Sequence, residues 1–451
     1  MADLMELARR AVEVAVAEGA EFADAWASDG RGLQVSVEKN SLKSTNDRSG
    51  GGVSVCAIIC GATGMSHDGR LGADAAVEAA LRAVSAARLA APDPDFVRLP
   101  GPEPFDEVAG LYDPDIASMG IPQIVEFLMA EVEGARSVDA RILVKGGGSA
   151  GFGRSAMVNS CGIEIEHDST WVGCSVFPTF KDGDDVGSYF DFDHARRMSE
   201  FAPGGIGRSA AEMAMSFRGA RPAPTAELTV VLGPLASISL FSAVAGAAGA
   251  DGIQRGRSFL AGKLGERIAS EHVTIVDDGL VPGGLASGAV DGAGSVRRRV
   301  TVVEKGVFRQ ELHGLYTVEK AHRQGREAVC TGHGLRLGGV SPTNVRPALG
   351  SRTAAEILSE VDEGIYVNHG GVAPDMITGE ISASVDFGFK IEKGRLAYPL
   401  RNTMLGINVF DLLGAMDAVS SDFREEPGTV MPTTRVRGVK VASARAQAQG
   451  G

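Results

Sequence analysis

Glycine interrupts this chain throughout: sixty of its 451 residues are glycine, yet apolar periodicity persists between them. Glycine adopts backbone conformations that other residues avoid, and it lets main chains approach one another closely. Apolar residues that recur between the glycines indicate buried helices and strands rather than disorder. We therefore expect an ordered chain with many tight turns, long enough for two or three domains.

The first predicted unit, residues 1–105, is an α/β domain. Residues 3–18 carry a helical apolar face, and residues 73–88 predict a second helix that ends at a proline-rich stretch. Between the helices the sequence predicts four short strands, at 21–27, 33–38, 41–46 and 52–61. The cluster Asn46–Gly51 has the composition of a turn that joins two of these strands.

The second predicted unit, residues 106–220, is also α/β. Its run Gly147-Gly148-Ser149-Ala150-Gly151 has the letters of a G-x-S-x-G nucleophile elbow. An elbow needs a helix after it, and a phosphate loop needs a following Gly-Lys-Ser/Thr, neither of which is indicated. We interpret the run as a hairpin or mobile loop. The acidic cluster Asp182–Asp185 lacks the ligand spacing of a calcium loop and is interpreted as a solvated loop.

The third predicted unit, residues 225–441, follows a linker at 218–224 and is rich in strands. It opens with a strand at 228–232 and a helix at 235–248. The tail 442–451 is small and polar, so we expect it to be disordered. The predicted fold class is α+β, with N-terminal layers of helices and strands followed by a strand-rich C-terminal domain.

Charge argues against a nucleic-acid partner. The net charge is −13 and the isoelectric point is near 5.2, whereas nucleic-acid surfaces need clustered cations. The one compact basic run, Arg297-Arg298-Arg299, is interpreted as a solvated strand end.

We expect a cytoplasmic protein without a membrane segment. The acidic, amphipathic start Met1–Glu6 does not resemble a secretory signal. The uncharged stretch Leu232–Ala250 contains glycine, proline and serines, which favours a buried helix over a membrane span. The five cysteines form no C-x-x-C pair, and a disulfide framework is not expected.

The eight histidines do not predict a metal site. The closest pair, His313 and His322, is nine residues apart, so no two histidines share a helical turn. His333 lies between glycines in Thr331-Gly332-His333-Gly334, where the backbone can approach a ligand closely. Two interpretations stay open for His333: a residue of a substrate channel, or a structural turn histidine.

Several motifs, in a shared order over about 400 residues, resemble the TldD/PmbA family of peptidases. They are Gly19–Asp24, Asn159–Gly162, Ser258–Ser270, Thr274–Asp278, Gly284–Ser287, Val303–Val307, Thr331–His333, Gly364–Val367 and Thr378–Glu380. Those at Gly284–Ser287, Val303–Val307 and Thr331–His333 are similar to the TldE branch in particular.

The chain departs from the catalytic members of that family at the metal positions. Catalytic TldD-like chains carry an H-E-x-x-x-H zinc helix, and the resemblance places Phe241, Ser242 and Gly246 at the positions of its His, Glu and second His. It places Pro427 where those chains carry a zinc-binding cysteine. None of these four side chains is a strong ligand for a divalent cation. We therefore expect no metal ligand, no catalytic residue and no cofactor in this chain.

The resemblance implies a non-catalytic TldE/PmbA-like subunit of a heterodimeric zinc metallopeptidase. Zinc would lie in a TldD-like catalytic partner, and the pair would cleave unfolded or leader peptides. His333, Thr331 and Asp291 are the candidate substrate-channel residues of this chain. One alternative is a stand-alone homodimeric peptide-binding or regulatory protein without peptidase activity. Another is an enzyme whose active site has moved to the region of His333 and Asp291.

Overall fold

The computed structural model describes residues 3–183, 185–336 and 338–443. A seven-stranded antiparallel sheet fills the N-terminal half, with the strand order β3-β2-β1-β4-β5-β6 and β7 also paired to β5. Its strands are β1 (Phe22–Glu38), β2 (Ser41–Ile59), β3 (Ala62–Asp68), β4 (Leu143–Asn159), β5 (Glu164–Asp182), β6 (Asp185–Ser188) and β7 (Asp191–Ala195).

Helices cover one face of this sheet along its whole length. They are α1 (Leu4–Ala17), α2 (Ala73–Ala87), α3 (Pro114–Ala117), α4 (Ile121–Arg136) and α5 (Ile206–Ser216). The α1–α2 pair packs on Ala23, Ala25 and Ala27 of β1, and α4 and α5 share a core with Leu33 and Val35. These residues are two apart in sequence, so both helix pairs lie on the same side of the strands.

The prediction of short strands separated by a turn at Asn46–Gly51 is wrong. That cluster lies inside the 19-residue strand β2 and pairs with β1, while the turn is at Lys39 and Asn40, which both have positive φ. The glycines permit close contact between strands. A Cβ at Gly30 would lie 2.6 Å from the carbonyl oxygen of Phe152. The glycines of these strands therefore lie where neighbouring backbones leave no room for a Cβ atom, although composition alone indicated a loop.

The hairpin or loop predicted for Gly147–Gly151 is also wrong, because this run lies inside β4. A Cβ at Gly148 would lie 2.7 Å from the Cγ2 atom of Ile124 on α4, and one at Gly151 would lie 2.3 Å from the carbonyl oxygen of Arg31. The run is thus a place where a helix and a neighbouring strand pack against bare backbone.

The C-terminal half contains a mixed sheet of eight strands and an antiparallel sheet of four. The order in the larger sheet is β14-β17-β19-β8-β13-β15-β16, with β18 paired to β19, and β8 and β13 are parallel. Its strands are β8 (Ala226–Leu232), β13 (Glu363–His369), β14 (Glu380–Ser384), β15 (Phe387–Glu392), β16 (Arg395–Pro399), β17 (Thr403–Asn408), β18 (Met416–Glu426) and β19 (Thr429–Ser443).

The smaller sheet has the order β11-β10-β9-β12. Its strands are β9 (Ile275–Asp278), β10 (Arg299–Glu304), β11 (Val307–Phe308) and β12 (Val345–Pro347). The helices of this half are α6 (Pro234–Ala247), α7 (Ala250–Gln254), α8 (Leu315–Arg323), α9 (Ala354–Ser359) and α10 (Val409–Gly414). Helix α6 contacts strands of both sheets, so it occupies the centre of the C-terminal core.

The predicted α+β class is confirmed. The three-domain division stays a prediction, although β1 pairs with β4 and joins the first two predicted units in one sheet. The tip of the β18–β19 hairpin contacts the N-terminal half, where an Arg424 Nη1 atom lies 2.8 Å from an Asp191 oxygen. Of the predicted tail, residues 442–443 belong to β19 and residues 444–451 lie outside the described residues.

Candidate functional site

Helix α6 carries three of the positions at which the sequence predicts missing metal ligands. The helix starts at Pro234 directly after β8. Phe241 is buried in the core, whereas Ser242 and Gly246 are partly exposed. A Cβ at Gly246 would lie 3.7 Å from the terminal methyl of Met376. None of the three predicted positions offers the imidazole, thiolate or carboxylate that binds zinc in proteins.

The fourth such position, Pro427, lies in the turn between β18 and β19. Its carbonyl oxygen accepts a hydrogen bond of 2.9 Å from the backbone N–H of Leu285. The next residue, Gly428, has φ +92°, and a Cβ there would lie 2.4 Å from the Oδ1 atom of Asn344. This turn therefore has a structural role in holding the hairpin tip against the 284–287 loop.

His333 and Thr331 belong to a buried polar chain. The His333 Nε2 atom lies 2.8 Å from Asp277 Oδ1 on β9, and its Nδ1 atom lies 3.0 Å from Thr331 Oγ1. The side chains of His333 and Asp277 are both fully buried. The second carboxylate oxygen of Asp277 accepts a hydrogen bond of 2.8 Å from the backbone N–H of Thr343, and the Thr343 hydroxyl also donates to Asp277.

The hydroxyl of Thr331 has its hydrogen-bonding capacity filled. It donates to the carbonyl oxygen of His313 at 3.0 Å and accepts from the backbone N–H of His313 at 2.7 Å. The carboxylate of Asp277, the imidazole of His333 and the hydroxyl of Thr331 are connected in the same order as in a catalytic triad. The hydroxyl hydrogen is, however, directed to the main chain, and the imidazole is closed to solvent. The geometry therefore favours a structural clamp that joins β9 to the segment 313–333.

Asp291 is buried and holds its own loop together. Its Oδ1 atom accepts the backbone N–H groups of Ala293 and Ser295, each at 2.9 Å, and its Oδ2 atom accepts that of Gly334 at 2.7 Å. Burial raises the pKa of this carboxyl, and the three backbone donors oppose the shift. Through Gly334 the structure brings Asp291 next to His333. The substrate-channel role of His333, Thr331 and Asp291 stays a prediction.

Two cavities lie between the N-terminal sheet and the C-terminal half, and neither was predicted from the sequence. The first has a volume of about 450 Å³. It is lined by buried Asp24 and partly buried Arg336, whose Nε atom donates to Asp24 Oδ1 at 2.6 Å, and by Tyr316, whose hydroxyl donates to Asp93 at 2.8 Å. Burial raises the pKa of Asp24, and Arg336 opposes the shift. Asp24 could have been noticed as a lone carboxylate between alanines of a buried strand.

The second cavity is larger, about 950 Å³. Asp291 lines it, together with Arg297, His167 on β5 and apolar groups that include Trp26 and Phe105. Of the three candidate channel residues, Asp291 therefore borders an open space, whereas Thr331 and His333 are not among the lining residues.

Within the described ranges, no group of three or more His, Cys, Asp or Glu side chains is placed to hold a metal ion. The residues on α6 do not fit a zinc ion, since they supply no strong ligand. In the same part of the chain, no helix is long and apolar enough to cross a membrane.

Comparison with known proteins identifies the family. The PmbA/TldA metallopeptidase central domain matches residues 114–217, and the C-terminal domain of the same family matches residues 225–443. An uncharacterized protein of Methanocaldococcus jannaschii is 28% identical over 321 residues, which cover 69% of this chain and 72% of the relative. A metalloprotease of that organism is 31% identical over 218 residues, but the match spans only 46% of this chain and 47% of the relative.

The fold agrees with a solved structure. TldE from Thermococcus kodakarensis superposes with a TM-score of 0.87 at 23% identity, and the match covers 97% of this chain and 100% of that one. Together, the two domain matches and the shared fold show that the chain belongs to the TldD/PmbA family of metallopeptidase-like proteins.

Proposed function

We propose that this chain is the non-catalytic, TldE/PmbA-like subunit of a heterodimeric zinc metallopeptidase. A TldD-like partner would carry the zinc and cleave unfolded or leader peptides. The observation that carries the proposal is the composition of α6: in a chain of a metallopeptidase family, Phe241, Ser242 and Gly246 supply no metal ligand on this central helix.

The chain would contribute a rigid wall to the chamber in which the partner cleaves. Helix α6 contacts both C-terminal sheets, so the region opposite the partner's zinc would be held by the largest core of the chain. A rigid wall restricts the bound peptide to few conformations, which lowers the entropic cost of reaching a reactive geometry.

The two ends of the main strand order in the eight-stranded sheet, β14 and β16, lie in the segment 380–399. An extended peptide can add to such an edge through backbone hydrogen bonds, which requires little of its sequence. Arg395, Leu396 and Ala397 of β16 are exposed and accessible to a peptide. These edges are the proposed contacts of this subunit with unfolded substrates. The net charge of −13 gives no support to a nucleic-acid partner.

The test is to express this chain with a TldD-like protein of the same genome that has an intact H-E-x-x-x-H helix. We expect the two to co-purify and to cleave an unfolded peptide, while this chain alone does not. The matched control is the same pair with the motif's glutamate replaced by glutamine in the partner, which should abolish cleavage. Zinc-dependent cleavage by this chain alone would refute the proposal. A stable homodimer that binds peptide and ignores the partner would support the stand-alone binding protein instead.

A further inference from the structure

The smaller of the two cavities lies on the side of β1 that carries Asp24. This residue alternates with Ala23 and Ala25, which pack against α1 and α2, so its side chain is on the opposite face of the sheet. The facing walls come from the segments 91–100 and 334–339 and from the start of α8. The volume of about 450 Å³ is that of a small-molecule site, which typically measures roughly 300–1,000 Å³.

The charges that line this cavity balance one another. Two carboxylates and two guanidiniums belong to the lining: Asp24, Asp93, Arg98 and Arg336. Arg336 is paired with Asp24, and the Nε atom of Arg98 donates to a carboxylate oxygen of Glu319 at 2.9 Å. Asp93 accepts hydrogen bonds from the backbone N–H of Asp95 and from the Tyr316 hydroxyl, each at 2.8 Å. Because each charged group already has a partner in the protein, a charged ligand would lose hydration here without gaining an ion pair.

Apolar side chains form the larger part of the lining. The larger ones are Ile58, Met65, Phe96, Leu99, Leu315 and Leu335. Met65 and Leu335 are exposed, so apolar surface at the cavity stays in contact with water. A ligand that removes this surface from water is stabilised by the hydrophobic effect. The walls therefore favour an uncharged ligand with an apolar group.

Two polar groups in the walls can orient such a ligand. The Nε and Nη2 atoms of Arg336 are held by Asp24 and by the carbonyl oxygen of Ser54, whereas Nη1 donates to no acceptor in the described part of the chain. The Tyr316 hydroxyl donates to Asp93, and its oxygen can still accept a hydrogen bond. Burial and the hydrogen bond to Asp93 raise the pKa of Tyr316, so the hydroxyl stays protonated. One donor and one acceptor match the C=O and N–H groups of an amide, which is uncharged.

We infer that this cavity binds the uncharged amide of an apolar amino acid, either as a small molecule or as a residue within a peptide. The apolar walls take the side chain, Arg336 Nη1 donates to the carbonyl oxygen, and the Tyr316 oxygen accepts from the amide N–H. The inference does not rest on the proposed function, because it uses only the walls of the cavity. It adds a ligand site at a place distant in sequence from strands β14 and β16.

The experiment titrates the isolated full chain, labelled with ¹³C at its methionine methyl groups, with N-acetyl-leucinamide and follows the Met65 signal by NMR. Three probes differ from it by one group: N-acetyl-leucine has a carboxylate, leucinamide has an ammonium group, and N-acetylglycinamide has no side chain. We expect each of the three to bind at least about tenfold more weakly, because a charge is desolvated or apolar burial is lost.

Leu335→Gln should weaken binding of N-acetyl-leucinamide at least about threefold, because it removes apolar surface from the wall. Leu264→Gln is the matched control and should bind as wild type does. Leu264 is 52% exposed, close to the 50% of Leu335, and does not line the cavity. A fifth probe, the blocked peptide N-acetyl-Ala-Leu-Ala-amide, distinguishes the two carriers. Its binding identifies a residue within a peptide and its exclusion a free small molecule, and either result agrees with the inference when N-acetyl-leucinamide binds.

Methionine oxidation gives a second readout that needs no variant. N-acetyl-leucinamide should slow the oxidation of Met65 by hydrogen peroxide, measured by peptide mass spectrometry, and leave that of Met376 unchanged. Met376 is 39% exposed, close to the 42% of Met65, and does not line the cavity. Equal binding of the neutral and charged probes, no binding of N-acetyl-leucinamide, equal effects of the two leucine substitutions, or equal protection of the two methionines would each overturn the inference.

Discussion

Replacing His333 by alanine separates a structural from a catalytic role for the buried polar chain. The His333 and Asp277 side chains are both fully buried, so His333→Ala leaves a buried carboxylate without its imidazole partner. Breaking a buried pair in this way costs about 3–5 kcal/mol. Thr343 still provides Asp277 with a backbone and a hydroxyl donor, so we expect a loss near the lower end, about 3 kcal/mol.

Urea unfolding followed by circular dichroism measures the loss as a lower midpoint for the transition of the C-terminal half. His322→Ala is the control, because His322 is exposed on α8, and its effect should stay within about 0.5 kcal/mol. At temperatures where His333→Ala is still folded, the pair with the TldD-like partner should cleave peptides at nearly the wild-type rate. A stable His333→Ala chain whose pair has lost cleavage would refute the structural account and support an active site near His333.

Two further substitutions and one labelling experiment test burial and packing. Arg336→Met should destabilise the chain by about 3 kcal/mol at pH 7 and by less at pH 4. Burial raises the folded-state pKa of Asp24, so the stability that this carboxyl contributes is present at low pH and is lost as pH rises. Equal urea midpoint shifts at both pH values would contradict this. Gly30→Ala should cost about 1–3 kcal/mol, because the new Cβ would lie 2.6 Å from a carbonyl oxygen, whereas Gly50→Ala meets open space and should cost less in the same unfolding assay. Burial raises the pKa of Cys56 to about 12, so Ellman's reagent at pH 8 should label it only after unfolding, and rapid labelling of the native chain would show that the site opens.

Local pattern predicted helices α1, α2 and α6, because their signal is carried by neighbouring residues. The faces of α1 and α2 repeat every three or four residues, and the observed helices Leu4–Ala17 and Ala73–Ala87 lie within one or two residues of the prediction. Helix α8 (Leu315–Arg323) was not predicted. It is a nine-residue helix with three buried residues, Thr317, Val318 and Ala321, two of which are small or polar.

The long strands could not be recognised locally. Positions such as Gly30 and Gly151 are filled by glycine because a neighbouring strand comes close, and that neighbour is more than a hundred residues away in sequence. The hairpin of β18 and β19 also depends on residues that are distant in sequence. Its core residues Val436 and Val439 pair with strand β8 and share a hydrophobic core with α6. A glycine-rich segment has the same composition in a strand as in a turn. Only the neighbouring strand that packs against it distinguishes the two.

The candidate site was predictable only in part. His333 was notable because it lies between glycines, but its partner Asp277 is 56 residues upstream, and nothing in the sequence joins the two. Arg297 was grouped with two exposed arginines because a charge run has no local signal of burial. The positions Phe241, Ser242 and Gly246 on α6 came from resemblance to a family, because no local pattern marks the site of a missing ligand.

The metal content of the purified proteins shows whether this chain can hold zinc by itself. Inductively coupled plasma mass spectrometry should find less than about 0.1 zinc per molecule of this chain alone, because α6 offers no strong ligand. The pair with a TldD-like partner should contain about one zinc per heterodimer, and the zinc should disappear when the partner's motif histidines are replaced. Stoichiometric zinc in this chain alone, retained after dialysis against a chelator, would contradict the account.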